Sequence, residues 1–365
     1  MMRFKNILCL FFLGILGSSC LSDEAIQLPF QSYAPKQLGD GLQISSPQAE
    51  GVDSDILTQV YQELRSNPDF WSMRSLLIFR NNRLISEDYL MDSLDISQPH
   101  LIWSCTKQVL AIIAGIAVDS GYIHNINDPI SAYFDSELET HPDKASISIQ
   151  QLLTMRSDID YQNGGAGGHT DQILRQFPDN SLDFILSQPL KSSQNTEFHY
   201  NDGNPHIISA LLQKRIGQPV DSWADAVFFS KIGFSNYNWL RYRDGITLGA
   251  FGIETTPREL AKIALCVADR GHYNGQQILN PNWIDEMLAP KVDTDEAGYK
   301  MGYYWWIEPI RDIYFMWGHG GQYAFIIPSK SLVIVSTAIP NTDGHFQIDA
   351  DELLPILDKI ITACH

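Results

Sequence analysis

The chain has 365 residues, 44% of them hydrophobic and 11% aromatic, which is enough apolar side chain for a sizeable core and too much for a disordered polypeptide. Lys and Arg number 25 against 43 Asp and Glu, a formal net charge of −18. A field of that sign repels phosphate backbones and anionic membrane surfaces, so nucleic acid is excluded as a partner.

The first residues, MMRFKNILCLFFLGILGSSC, place Arg3 and Lys5 before an apolar run from Ile7 to Leu16 and then small residues ahead of Cys20. This pattern predicts a secretory signal over residues 1–19, with an apolar run too short to span a bilayer. The stretch ending at Cys20 resembles a bacterial lipoprotein processing site, although Gly17 stands where such sites usually carry leucine. It implies export to the periplasm or cell surface, with membrane contact only through a lipid on Cys20. Residues 20–43 have scattered Pro and Gly without a sustained period and read as a tether to a domain spanning 44–365. Cys105 and Cys266 lie in apolar helical patterns as small core residues, Cys364 is expected exposed at the end, and no disulfide framework is implied.

Within that domain, SDILTQVYQEL has helical spacing, and SLLIFRNNRLISEDYL reads as two strands around Asn81 and Asn82. From about 105 to 250 the segments ISIQQLLTM, LDFILSQ, NPHIISALLQKRIG and WADAVFFSKIG are short amphipathic helices joined by turns. TTPRELAKIALCVADRG adds another helix. Strand character then returns in YYWWIEPI, IYFMWG, QYAFIIP and LVIVSTAI, before a closing helix in ADELLPILDKIITAC. Strands first and last with helices between predict an α+β fold, an α/β sandwich. One antiparallel sheet, built from both chain ends and flanked by helices, would pack against an inserted helical lobe, with a cleft at the junction.

At that junction IWSCTKQVLAIIAGIAV puts Ser104 and Lys107 one turn apart at the start of an apolar helix. An isolated S-x-x-K is most often a capping serine and a snorkelling lysine. Here Trp103 and the apolar run argue for deep burial, which disfavours the ammonium and predicts a lowered Lys107 pKa. A neutral amine beside a hydroxyl is one way to activate a serine nucleophile, and the helix N-terminus favours the developing alkoxide.

Two further stretches follow in order, Tyr200-Asn201-Asp202 and His319-Gly320-Gly321. With SCTK, GYIHNINDPISAYF, ISIQQLLTMRSDI and GHGGQYAFIIPSKSLVIVSTA, they make most of the chain after the signal resemble the serine beta-lactamase and penicillin-binding-protein-like hydrolases, especially the class C and esterase-like branch. The resemblance implies an acyl-enzyme on Ser104, activated by Lys107 and Tyr200, with either as general base and no cofactor or metal. It implies an oxyanion hole from the backbone N–H groups of Ser104 and Gln322, and a substrate site lined by Asp202, His319, Gly320 and Gly321. The strand QYAFIIP would edge the cleft. Lactam-binding members commonly carry asparagine where this chain has Asp202 and lysine where it has His319. These departures favour small neutral amides, esters or cationic peptides over penicillins, and an aspartate touching Lys107 would raise that lysine's pKa. A ligand sensor that is acylated without turnover is the alternative on the same fold.

NGGAGGH at 163–169 lacks the ending of a phosphate-binding loop and reads as a loop beside the cleft. His199 and His206 lack metal-ligand spacing and read as structural histidines. MGYYWWIEPI reads first as core, with a wall for the substrate's acyl group as the alternative.

Overall fold

A computed structural model describes residue 30 and residues 32–163, 170, 174, 179–191, 197–340 and 348–365. The expected signal segment and Cys20 lie outside these, as do the glycine-rich residues 164–169. The main sheet has nine strands: β1 (Gln43–Ile44), β2 (Met73–Arg80), β3 (Arg83–Tyr89), β4 (Val292–Asp293), β5 (Lys300–Met301), β6 (Trp306–Glu308), β7 (Ile313–Gly318), β8 (Gln322–Ile327) and β9 (Leu332–Ala338). Their spatial order is β1-β3-β2-β9-β8-β7-β6-β5-β4, so strands from the two chain ends share one sheet. Pairing is antiparallel except at the edge, where β1 runs parallel to β3 and makes the sheet mixed.

Local chemistry explains these elements. Asn81 and Asn82 have φ of 52° and 61°, the left-handed pair that a two-residue hairpin requires and that Asn tolerates. Helix α1 (Ser54–Ser66) starts on Asp53, whose carboxylate accepts from the N–H groups of Asp55 and Ile56. Helices α2 (Cys105–Asp119) and α3 (Gly203–Ile216) belong to the central lobe. Helix α4 (Pro257–Ala268) opens with Thr256 as cap and Pro257 in its first turn, and α5 (Ala350–Thr362) closes the chain on an Asp349–Glu352 capping box.

The sheet is covered on both faces, and β3 shows how. Its polar residues alternate. Ser86 and Asp88 face α1, bonding Tyr61 and Arg65, while Glu87 and Tyr89 face α4, where Arg258 lies. Period-two side-chain direction thus turns one strand into a bracket between two helices.

The segment expected as a tether is tied to the body from Tyr33 onward. Tyr33 Oη donates to the Ser54 carbonyl, and the Tyr33 carbonyl accepts from Glu87 N–H at 2.9 Å. Arg258 of α4 reaches Glu87 through Nε (2.9 Å) and Nη2 (2.8 Å), Asp40 (2.7 Å) and the Lys36 carbonyl (2.6 Å). The folded unit therefore begins about ten residues before the expected boundary, because a buried arginine far along the chain holds the polar loop. Cys364 is another correction: it is buried, its Sγ donating to the Ile360 carbonyl at 3.3 Å, because α5 packs along its length. Among the described residues no helix is long and apolar enough to cross a membrane.

Candidate active site

The segment entering α2 is held on both sides. His100–Leu101 pairs with Ile253–Thr255 in a small three-stranded sheet, Ile102 N–H donates to the Ile253 carbonyl at 2.9 Å, and Ile253 N–H donates to Thr106 Oγ1 at 3.1 Å. Between these ties Trp103 is forced to φ 50°, a left-handed conformation costing a non-glycine residue roughly 1–2 kcal/mol. The reversal leaves Ser104 partly exposed at the first turn of a helix that is otherwise buried. Its hydroxyl makes no capping hydrogen bond, unlike an ordinary serine in that place, and is left to its other neighbours.

The first neighbour is Lys107, fully buried, whose Nζ donates to Ser104 Oγ at 2.8 Å and to the Ala250 carbonyl at 3.0 Å, with Asp202 Oδ1 2.8 Å away. The ammonium also lies 4.9 Å from the centre of the Tyr200 ring. Burial pushes the lysine's pKa down, but the charges of Asp202 and Tyr200 and their hydrogen bonds outweigh it, and the net direction is upward. The lowered pKa expected from the apolar flanks is therefore corrected: Lys107 stays protonated because the lobe brings a carboxylate to it. Burial raises the Tyr200 phenol above its ordinary value, Lys107 opposes that shift and Asp202 adds to it, so Tyr200 is neutral near pH 7.

Tyr200 and Asp202 sit on a braced loop at the start of α3. Asn163 Oδ1 accepts from Asp202 N–H at 2.7 Å, and Asn163 Nδ2 donates to the Tyr200 carbonyl at 3.4 Å. Asn201 bonds His199 O and Asn204 N–H, and Asn204 Oδ1 accepts from Ser157 Oγ at 2.6 Å. These bonds brace the backbone of the loop at Tyr200 and Asp202.

His319, Gly320 and Gly321 form the turn between β7 and β8. Gly320 (φ 81°) and Gly321 (φ 106°) both need the left-handed region, and a Cβ on Gly320 would fall 2.5 Å from Pro340 Cα. The His319 ring meets Trp103 edge-on at 5.4 Å. Gln322 fastens the turn through its side chain to both backbone groups of Ala338, while its carbonyl accepts from Cys105 Sγ at 3.3 Å. Strand β8 is interior to the sheet, paired with β7 and β9, and its first residue, Gln322, meets Cys105 next to Ser104.

The structure thus brings together Ser104, Lys107, Tyr200 and Asp202, and sets His319 and the Gln322 end of β8 against Trp103 and Cys105. Sequence reasoning missed one contributor outright and named two others only by their segments. The Ala250 carbonyl has no side-chain signature, although Gly249 beside it is required, since a Cβ there would lie 2.2 Å from the Pro205 carbonyl oxygen. Asn163 was visible only as the edge of a glycine-rich loop. Trp306 packs 5.9 Å from the Tyr200 ring and 4.7 Å from Trp317, so the YYWW segment is both core and neighbour of the site.

His206 of α3 is buried, its Nε2 2.6 Å from Ser181 Oγ, which also donates to Asp244 at 2.5 Å. Burial lowers its pKa to about 4. Between pH of about 6.5 and 4 the unfolded chain takes up a proton that the folded one refuses, so stability falls on acidification across that window by as much as about 3 kcal/mol. Melting temperatures of wild type and His206→Gln should converge between pH 7 and pH 4.5; parallel curves would contradict this. His199 Nε2 lies 3.0 Å from the Tyr161 carbonyl oxygen. Among the described residues no group of three or more His, Cys, Asp or Glu is placed to hold a metal ion.

Comparison with known proteins bears on the family and the fold. The family model described as Beta-lactamase matches residues 75–352. The 6-aminohexanoate-dimer hydrolase of Paenarthrobacter ureafaciens is 21% identical over 316 residues, covering 78% of this chain and 79% of that protein. A Bacillus anthracis structure provisionally described as a 6-aminohexanoate-dimer hydrolase superposes with a TM-score of 0.69 at 18% identity, over 91% of this chain and 87% of that one. A penicillin-binding protein from Bacillus halodurans gives a TM-score of 0.63 at 16% identity, over 78% of this chain and 96% of that one. At these identities the structural likeness is one of fold.

Proposed function

The chain belongs to the beta-lactamase family, whose fold is that of serine hydrolases, and from that premise we propose that it is an exported hydrolase cleaving a small amide, ester or lactam through an acyl-enzyme on Ser104. The observation supporting this most directly is the 2.8 Å contact of Lys107 Nζ with Ser104 Oγ beside Tyr200. Ser104 Oγ attacks the carbonyl carbon, and its proton passes to whichever member of the Lys107–Tyr200 pair has lost its own, a form whose share grows as pH rises. The oxyanion formed faces the N–H groups of Ser104 and Gln322, where a single lost donor typically costs about 2.7–4 kcal/mol. Collapse breaks the bond to the leaving alcohol or amine, which takes the proton back, and water then hydrolyses the acyl ester and regenerates Ser104.

Two chain-specific residues bear on substrate. His319 replaces the lysine that lactam-binding relatives use toward a carboxylate, and Asp202 adds negative charge, so neutral amides, esters or cationic peptides suit the site better than penicillins. The relative whose name specifies a 6-aminohexanoate dimer supports amide cleavage as the chemistry. Export with a lipid on Cys20 rests on the basic start, the apolar run and the small residues before that cysteine.

A fluorophosphonate probe tests the reading. Intact-mass and peptide spectra should place one adduct on Ser104, and Ser104→Ala should abolish labelling and p-nitrophenyl ester hydrolysis without lowering the melting temperature. An adduct that persists in Ser104→Ala, or none in the wild type, would overturn it.

A further inference from the structure

Cys105, the residue after the nucleophile, carries a fully buried thiol that the acyl-serine chemistry does not use. Its Sγ donates to the Gln322 carbonyl at 3.3 Å, across 217 positions of chain. Burial pushes the thiol well above its usual pKa, so it keeps its hydrogen at neutral pH and has one to donate. The contact is built rather than incidental. Gly318, the last residue of β7, pairs with Gln322 across the turn. A Cβ on Gly318 would fall 2.2 Å from the Ile102 carbonyl oxygen, 2.9 Å from Gln322 Cβ and 3.2 Å from Cys105 Sγ. Glycine there lets the end of the sheet close on the start of α2.

The two ends of this bridge are the two sides of the proposed oxyanion hole. Cys105 is peptide-bonded to Ser104, and Gln322 is the residue whose N–H would be the second donor. On the sheet side Gln322 is anchored: its side chain donates to the Ala338 carbonyl at 2.7 Å and accepts from Ala338 N–H at 3.3 Å. The Gly321 carbonyl before it accepts from Ser336 Oγ at 3.3 Å. We propose that Cys105 is a positioning residue whose S–H bond to the Gln322 carbonyl sets the separation of the Ser104 and Gln322 N–H groups, and with it their grip on the oxyanion. This rests on the acyl-serine reading and deepens it by giving the hole a tie between α2 and β8. The thiol itself touches neither the substrate nor the transferred proton.

Donors aimed at a developing negative charge act through their geometry, and removing one outright typically costs about 10²–10³ in rate. Loss of the thiol bond misplaces a donor without removing it, so the expected loss is smaller, about tenfold. Serine and alanine separate this role from packing. Both are smaller than cysteine, but only serine carries a hydroxyl that can donate to the Gln322 carbonyl. Were the thiol merely filling space, Cys105→Ser would be no better than Cys105→Ala, because a buried hydroxyl adds a cost of its own.

The experiment compares wild type, Cys105→Ser and Cys105→Ala in three measurements: the second-order rate of Ser104 labelling by a fluorophosphonate, the inhibition constant of phenylboronic acid, and the melting temperature. Both probes place an oxygen in the hole once bonded to Ser104. A labelling rate about tenfold lower in Cys105→Ala, boronate binding weakened in parallel, and both largely restored in Cys105→Ser support the proposal. Equal losses in the two variants mean a packing role and overturn it, as does a Cys105→Ala variant that loses melting temperature but labels at the wild-type rate. If Cys105→Ala fails to fold, Cys105→Val, which fills the space without a donor, takes its place in the comparison. Absence of labelling in the wild type removes the acyl-serine reading and this inference with it, whereas wild-type labelling untouched by loss of the thiol removes the inference alone.

Discussion

Lys107→Met should leave a protein whose Ser104 labels at least about a thousandfold more slowly than wild type, the middle of the range that a positioned proton-transfer group supplies. The loss combines two effects, since the ammonium that orients Ser104 Oγ disappears and the charge that favours a Tyr200 phenolate goes with it. The same change should also destabilise the fold. Asp202 would be left a buried, unpaired carboxylate, a defect of about 3–5 kcal/mol. Lys107→Met with Asp202→Asn should therefore regain much of the lost melting temperature while remaining inactive. A single variant retaining a tenth of the wild-type labelling rate would refute the catalytic argument, and a double variant no more stable than the single one would refute the pairing.

Arg258→Leu should cost a similar amount, about 3–5 kcal/mol, for a different reason. The guanidinium is 2% exposed, its fork fits both oxygens of Glu87, and Glu87 is equally buried. Without the arginine, the donors left to Glu87 among the described residues are the Lys36 N–H and the Tyr89 hydroxyl, both neutral. Asp40 and the Lys36 carbonyl lose their anchor as well, so residues 33–42 should become accessible to limited proteolysis while the rest of the domain stays resistant. Adding Glu87→Gln should restore part of the melting temperature. Cleavage in this segment at the wild-type rate would show that Arg258 does not hold it.

The candidate site was legible where side-chain identity carries the chemistry. Ser104 and Lys107 announce themselves by one-turn spacing in an apolar helix, whereas Tyr200 came only with the family resemblance of Tyr200-Asn201-Asp202. The charge state of Lys107 was not legible from its own neighbourhood. Apolar flanks argue for a neutral amine, but the deciding group is Asp202, 95 positions later, and only the packing of α3 against α2 shows that the two touch at 2.8 Å. The Ala250 carbonyl was hidden for a simpler reason, since every residue carries one. Strands and helices followed from periodicity and turn residues, and the Asn81–Asn82 hairpin formed where those two residue types permit it. The start of the domain was misplaced because residues 33–42 have the composition of a linker, and what fixes them is a long-range ion pair that local composition cannot report.

The position of β2 between β3 and β9 also constrains the order of assembly. Ser75 and Thr337 share a 2.6 Å hydrogen bond across 262 residues, so the first hairpin has its second neighbour only when the chain's last tenth has been made. Until then a nascent polypeptide carries β2 with a bare edge, and such long-range closure is slow and exposed to mispairing. Synthesis stopped short of Leu332 would leave a product with every residue of the Ser104 cluster present and the sheet beneath it unable to close.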